Sequence, residues 1–391
     1  MIADPHQTGL WLTVTTSPGL EGLLEEELAE LGMHSLETGF GAVSLTGSWE
    51  TAARILLWCR LGSRLLLKVA EFSAPNEAVL YSQVRRIDWP EWFSRGQTFS
   101  VRVNGDFGKT RMARSFAPLK IKDAVCDEFR KRTGGRPSVD RETPDVPIVA
   151  FFRDGRCQLS LDLAGQPMHR RGYREEGSVA PIKEHRAAAL LRFLGYDGSR
   201  PFIDPFCGSG TLAIEAALIA SNCPPGLLRR PDRFSVSRFS DRGRAALRAL
   251  WALHESQPRA QPAQPVLGFD LEGNNVEIAR TNARRAGFEL GIHFGSADAR
   301  EITAPGHDIA CNPPYGERLD RLEGAIELVA AFARRVRSHC AGARLAMVLP
   351  HGPLTKCAGL RAERRLPVMS APLELRFLKY SIFPERPGRG L

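Results

Sequence analysis

The chain has 391 residues, 43% of them hydrophobic and 25% charged, with a net charge of +9. That excludes a disordered chain and leaves room for two or three domains, at roughly 100–200 residues each. No run approaches the ~18 consecutive apolar residues of a membrane span, no basic-then-apolar leader opens the chain, and the eight cysteines form no Cys-x-x-Cys. The expectations are therefore a cytoplasmic protein with no membrane segment and no metal site. The charge is uneven. Residues 1–50 hold eight acids and no Lys or Arg, residues 51–190 hold 25 basic and 16 acidic side chains, and residues 191–391 hold 28 and 20. A basic body of this kind suits a polyanion.

In chain order, residues 10–70 read as a strand at Leu10–Val14, a turn at Ser17-Pro18-Gly19, and a helix. That helix carries Leu20, Leu23, Leu24, Leu28 and Leu31 on one face and ends at Gly32. A strand near Ala42–Leu45 and a helix from Trp49 through Leu61 complete a small βαβ-like unit. Residues 75–165 alternate in the same way, with strands at Thr98–Val103, Ile148–Phe152 and Cys157–Leu163. Between them, Lys109 to Arg136 holds nine basic and three acidic residues and a helix at about Pro118–Arg132. This stretch is either a solvated helix face or, with Phe107 and Phe116 beside it, a nucleic-acid surface.

From about 185 onward strands alternate with long helices, which implies a parallel sheet with crossovers. Strands are expected near Pro201–Asp204, Val266–Phe269, Gly291–Gly295, Asp308–Ala310, Arg344–Leu349 and Leu375–Ile382. Residues 222–265, rich in Pro, Arg and Ser, interrupt the rhythm and read as an insertion with one helix near Arg242–His254.

Two constellations carry chemistry. In the first, Phe202-Ile203-Asp204-Pro205-Phe206-Cys207-Gly208-Ser209-Gly210-Thr211 leads from a strand through a glycine-rich turn into a helix. Glycines let the backbone approach a ligand, and the helix N-terminus supplies free N–H groups. An ordinary βα turn also gives Gly-x-Gly. The loop fits neither the dinucleotide nor the triphosphate pattern. Acids end three successive strands, at Asp204, Asp270 and Asp298, and a carboxylate at the second place can accept hydrogen bonds from ribose hydroxyls.

The second constellation, Asp308-Ile309-Ala310-Cys311-Asn312-Pro313-Pro314-Tyr315-Gly316-Glu317-Arg318, stops a strand abruptly at two prolines. The proline carbonyls and the Asn312 side-chain oxygen are acceptors, and Tyr315 offers a flat face. Acceptors beside a ring suit the exocyclic amine of an aromatic base. Asn-Pro alone would be a plain turn.

Together, Asp-Pro-Phe-Cys-Gly-Ser-Gly-Thr and Asn-Pro-Pro-Tyr resemble the S-adenosylmethionine-dependent amino-methyltransferases, and in detail the THUMP-domain RNA guanine-N2 methyltransferases. His169-Arg170-Arg171-Gly172-Tyr173-Arg174, Ala180-Pro181-Ile182-Lys183-Glu184, Pro225-Gly226-Leu227-Leu228 and Leu378-Lys379-Tyr380 extend the resemblance over nearly the whole chain. It implies an α/β fold, in which a Rossmann-like class I methyltransferase domain is preceded by a ferredoxin-like plus THUMP RNA-binding module. The expected divisions are 1–70 ferredoxin-like, 71–165 THUMP, 166–190 basic linker and 191–391 methyltransferase, with the insertion at 222–265.

The resemblance also assigns roles. Asp204, Phe206, Gly208, Gly210 and Thr211 would line the cofactor pocket. Asp270 would bind the ribose, and Asp298 and Ala299 would lie beside the adenine. Asn312 and the Pro313 carbonyl would hold the target 2-amino group, with Tyr315 stacked on its ring; Asn312 would also border the cofactor. Apart from the resemblance, the basic stretch makes Lys109, Arg111, Arg114, Lys120, Lys131 and Arg132 the expected RNA contacts. Arg170, Arg171, Tyr173 and Arg174 would touch RNA backbone or the cofactor edge, or form an exposed basic linker. The implied cofactor is S-adenosyl-L-methionine and the implied partner structured RNA, ribosomal before transfer RNA. Nothing in the sequence sets the oligomeric state.

Two rivals stand beside this reading. One is an amino-methyltransferase acting on adenine or a protein glutamine amide, because the motif grips an amine and not a particular base. The other is a non-catalytic RNA-binding or assembly protein that keeps the fold; intact Gly208, Gly210, Asp270, Asn312 and Tyr315 weigh against it.

Overall fold

The structure is a computed structural model that describes residues 9–174, 182–257, 260–315, 322–370 and 373–383. Two compact units divide it. The first comprises 1–15, 28–168 and 229–256, and the second 16–27, 169–228 and 257–391.

The chain begins β1 (Leu10–Thr15), α1 (Glu21–Glu30), β2 (Glu37–Gly39), β3 (Ala42–Gly47), α2 (Trp49–Trp58), β4 (Arg64–Ser73), α3 (Glu77–Arg85), β5 (Phe99–Gly105), α4 (Ala117–Thr133), β6 (Val146–Arg153) and β7 (Arg156–Asp162). In the first unit these seven strands form one sheet, ordered β2-β3-β1-β4-β7-β6-β5. β4 crosses residue 70 and pairs with β7 from Leu66 opposite Asp162 onward, so one sheet serves both of the N-terminal divisions read from the sequence. The βαβ-like expectation is corrected: β1 and β3 pair antiparallel, Leu12 opposite Leu45. The cause is the unanticipated β2, which makes β3 the second arm of a tight hairpin through Phe40 and Gly41, the glycine at φ 67°. Helix α2 is held at its start by a Ser48–Thr51 capping box and stops at Trp58, where Cys59 turns extended. In α4, Ile121, Ala124, Val125 and Phe129 are buried while Arg130, Lys131 and Arg132 occupy the last turn, where cations complement the helix dipole.

The second unit opens with α5 (Glu184–Leu194), β8 (Phe202–Asp204) and α6 (Thr211–Ala220). The interruption that follows holds α7 (Val236–Phe239) and α8 (Asp241–Glu255), and 229–256 belong to the first unit, where α8 packs on α2. Then come β9 (Val266–Asp270), α9 (Gly273–Ala286), β10 (His293–Ser296), β11 (Asp308–Cys311), α10 (Leu322–His339), β12 (Arg344–Pro350), β13 (Arg364–Ser370) and β14 (Leu373–Ser381).

These strands form the order β10-β9-β8-β11-β12-β14-β13. The parallel expectation holds from β10 to β12, whereas β14 runs against both β12 and β13. β13 was not expected, because two arginines and Pro367 mask its alternation; an outermost strand tolerates a proline. Helix α10 packs Val329, Phe332 and Val336 over Ile309, Cys311, Leu345 and Met347 of β11 and β12. The chain runs outward from β8 through β9 to β10, then restarts at β11 on the other side of β8. That reversal opens a crevice at the carboxyl ends of β8 and β11, where open α/β sheets take ligands.

Candidate active site

Both sequence constellations lie at that crevice. After β8, Asp204 is 1% exposed and accepts the Phe206 N–H at 3.1 Å. Burial pushes its carboxyl well above the usual carboxylate range; the Phe206 N–H works against this, and the Asp270 charge adds to it. The turn is shaped by two left-handed glycines. Gly208 sits at φ 51° with open space where a Cβ would go, and Gly210 at φ 82° packs so closely that a Cβ would meet Ala279 and Phe294 at 3.0 Å. Gly210 caps α6 without a side-chain hydrogen bond, so the cap residue leaves the first N–H groups of the helix unclaimed.

Asp270 accepts the Gly208 N–H at 2.9 Å through one oxygen, and the Glu272 N–H and Asn275 Nδ2, both at 3.0 Å, through the other. The Cys207 N–H donates to the Phe269 carbonyl at 2.8 Å, tying the β8 loop to β9. Asn282 of α9, 3% exposed, donates Nδ2 to the Ser209 carbonyl at 2.9 Å. Asp298 caps the turn containing Ala299, accepting from Arg300 N at 2.8 Å and from the Arg300 guanidinium, whose bonds hold its carboxyl low.

The β11 loop is different. Pro313 is buried, and Asn312, Pro314 and Tyr315 are half-buried. The Asn312 Oδ1 is a buried acceptor with no partner among the described residues. Buried acceptors in folded proteins are nearly always satisfied, and leaving one unmade costs about 1–3 kcal/mol. That acceptor stands where the sequence led us to expect the target amine. Gly316, Glu317 and Arg318 of the same constellation lie outside the described residues, as do Ala180 and Pro181 of the linker motif.

The linker arginines separate. Arg170 is exposed and Arg174 half-buried. Arg174 donates to the Ile182 carbonyl at 2.6 Å and to Thr211 Oγ1 at the start of α6, and its Nε lies 3.6 Å from Glu184. Arg171 requires a correction. It is 1% exposed, with Nε 3.4 Å and Nη2 3.5 Å from the Glu215 carboxylate, and Tyr173, equally buried, donates its hydroxyl to Glu215 at 3.4 Å. Neither reaches solvent or RNA. The reason is Glu215, the one charge in α6 (Thr-Leu-Ala-Ile-Glu-Ala-Ala-Leu-Ile-Ala), which a buried cation must balance. That lone acid was the signal available in the sequence. Asn275, Asn282 and Gly268, where a Cβ would meet Phe294 at 2.5 Å, were also missed.

The basic candidates of the first unit are all at its surface. Lys109 pairs with Asp154 at 2.8 Å, Lys120 with Glu77 at 3.5 Å, and Arg132 with Asp88. Arg111, Arg114 and Lys131 are exposed. Exposed pairs contribute about 0–1 kcal/mol, so phosphate can displace them. Among the described residues no group of three or more His, Cys, Asp or Glu could hold a metal ion, and no helix is long and apolar enough to cross a membrane.

Comparison with known proteins matches the descriptions "RlmL ferredoxin-like domain" over 11–66, "THUMP domain" over 74–162 and "RMKL-like, methyltransferase domain" over 171–379. Ribosomal RNA large subunit methyltransferase K/L of Syntrophotalea carbinolica is 38% identical over 95% of this chain; the chain spans 53% of that relative's length. The crystal structure of SMU.472 complexed with SAH superposes with a TM-score of 0.86 at 25% identity, covering 98% of this chain and all of the other. TrmN from Thermus thermophilus shares the fold, with a TM-score of 0.70 at 23% identity over 96% of this chain and all of TrmN.

Proposed function

The chain belongs to the family that carries the RMKL-like methyltransferase domain, and from that premise we propose that it methylates the exocyclic 2-amino group of a guanosine in structured RNA, above all large-subunit ribosomal RNA. The large-subunit enzyme it resembles supports the RNA, as do the matched THUMP domain and the basic α4 surface. One observation carries the reaction: the unpartnered, buried Asn312 Oδ1 at the carboxyl edge of β11.

The residues at the crevice fit S-adenosylmethionine, the methyl-bearing counterpart of the SAH bound in the neighbouring structure. Gly208 leaves room where a side chain would stand, the α6 cap residue makes no side-chain hydrogen bond, and Asp270 Oδ2, which accepts the Gly208 N–H, keeps a further lone pair. Bound there, the cofactor supplies an electrophilic methyl on sulfur; the new N–C bond forms as the S–C bond breaks, and the amine then gives up one proton. Everything else falls to the chain. Asn312 Oδ1 and the Pro313 carbonyl accept the two amine hydrogens, which favours a pyramidal nitrogen with its lone pair directed away from them. Tyr315 stacks on the base. Asp204, its carboxyl pushed up by burial, holds the Phe206 turn. Positioning of this kind supplies roughly 7–11 kcal/mol in well-aligned reactions, and no strong base is required before transfer. Extruding a paired target costs a few kcal/mol, which the first unit's RNA contacts would offset.

The test is incubation with labelled S-adenosylmethionine and unmodified large-subunit rRNA transcript, then nucleoside analysis. Label in 2-methylguanosine is expected. Label in 6-methyladenosine would overturn the base, and cofactor binding with no labelled RNA would favour a protein amide.

A further inference from the structure

Arg186 was absent from every sequence expectation, yet its surroundings are unusual. It lies in the first turn of α5, which packs on β11, β12 and β14. A helix leading into a parallel strand runs against it, so the first turn of α5 lies at the carboxyl edge of the sheet, on the side of Asn312 and Tyr315. Ser370 reaches the same edge: β13 runs with β12, and Ser370 pairs with Leu373, beyond the Pro350–Leu375 pair that ends β12.

The guanidinium is clamped there by two serines. Its Nε donates to Ser17 Oγ at 3.0 Å and its Nη1 to Ser370 Oγ at 2.5 Å. Ser17 Oγ also lies 3.0 Å from Nε2 of the buried His185, whose ring burial holds well below its usual value. Neither serine neutralises the charge. Arg186 is half-buried, and among the described residues no carboxylate pairs with it and Nη2 has no hydrogen-bond partner. Tyr315 is the group whose electrostatic influence on the guanidinium opposes the effect of burial. A partly desolvated cation with no carboxylate partner among the described residues is costly, and it is suited to a neutral acceptor arriving beside Tyr315.

We infer that Arg186 is a specificity-determining residue, whose guanidinium donates to the N7 and O6 acceptors of the purine held at Asn312 and Tyr315. Adenine presents an amino donor where guanine has O6, so this contact selects guanine, a distinction the amine grip by itself does not make. The inference rests on the guanosine reading above.

The experiment compares two large-subunit rRNA transcripts, one ordinary and one made with 7-deazaguanosine, which lacks N7 but keeps O6 and the 2-amino group. Wild-type kcat/KM for 2-methylguanosine formation should fall about tenfold on the 7-deaza transcript. Arg186→Met should lose at least that factor on the ordinary transcript and show no further drop on the 7-deaza one, with SAH affinity unchanged. Arg186→Lys, a charge without the fork, should recover little. Three results would overturn the assignment: a wild type that methylates both transcripts equally, an Arg186→Met protein that keeps the tenfold ratio, or an equal loss on both transcripts with a shallower salt dependence, which marks a phosphate contact. A wild type that forms no 2-methylguanosine on either transcript contradicts the proposed reaction itself, and this assignment with it.

Discussion

The loops after β8 and β11 share one crevice and differ in how their polar groups are occupied. In the β8 loop several groups are engaged within the chain: Asp270 holds Gly208 and Asn275, Asn282 holds the Ser209 carbonyl, and Cys207 is bonded to Phe269. In the β11 loop the Asn312 acceptor is buried with no partner among the described residues. A ligand met by the first loop finds a preformed backbone cradle. A ligand met by the second removes an unmet hydrogen bond, so its binding is worth more to the protein. On the proposed function, the contrast assigns ground-state binding to the β8 loop and the reacting group to the β11 loop.

Breaking the second loop tests this most severely. Asn312→Ala should lower single-turnover methyl transfer by about 10²- to 10³-fold, the range found when one preorganised polar partner is removed, while SAH affinity changes by no more than a few fold. Equal activity in the variant would remove the amine-grip argument.

Next in size is the support behind the first loop. Arg171→Leu leaves Glu215 of α6 buried without its cation, and should cost about 3–5 kcal/mol in denaturant unfolding. An arginine on an RNA face would instead give a stable variant with weaker RNA affinity.

The buried histidines sharpen the comparison through pH. Burial holds His169 down to about 3, and His185, 4.7 Å away ring to ring, is also held well below its usual value. Depressed histidines favour the folded state fully above their unfolded value, and that contribution is lost as pH falls from about 6.5 toward about 3. Urea midpoints should therefore decline across this window, and His169→Asn should flatten the decline. An unchanged slope would mean that these rings titrate freely.

The smallest effect belongs to the surface. Lys131→Glu should weaken RNA binding modestly and make the salt dependence shallower, by about one phosphate contact removed and one repulsion added. Arg132→Glu should do less, because Arg132 already engages Asp88. Unchanged binding in both would move the RNA face elsewhere.

How far the sequence could be read follows from the physics of each element. The strands of the parallel region and helix α4 announce themselves by apolar runs and spacing, and the two loops by residue types that few turns need. β2 and β13 do not: one has three exposed residues and the other carries two arginines and a proline, so pairing partners distant in sequence decide both. The arginines make the same point at the site. Arg171 stands in a basic run and reads as surface, yet the lone Glu215 draws it inward. Arg186 stands in a helix of ordinary pattern, and only its bonds to Ser17 and Ser370, 169 and 184 residues away, give it a role. Spacing reports local periodicity and not which distant groups a buried charge will meet.

The most direct measurement of the central claim is methyl transfer to a large-subunit rRNA transcript in which inosine replaces guanosine. This removes only the 2-amino group and keeps O6 and N7. Loss of labelled product, with SAH affinity retained, is the predicted result. Transfer at the rate seen with guanosine would place the methyl elsewhere and contradict the account.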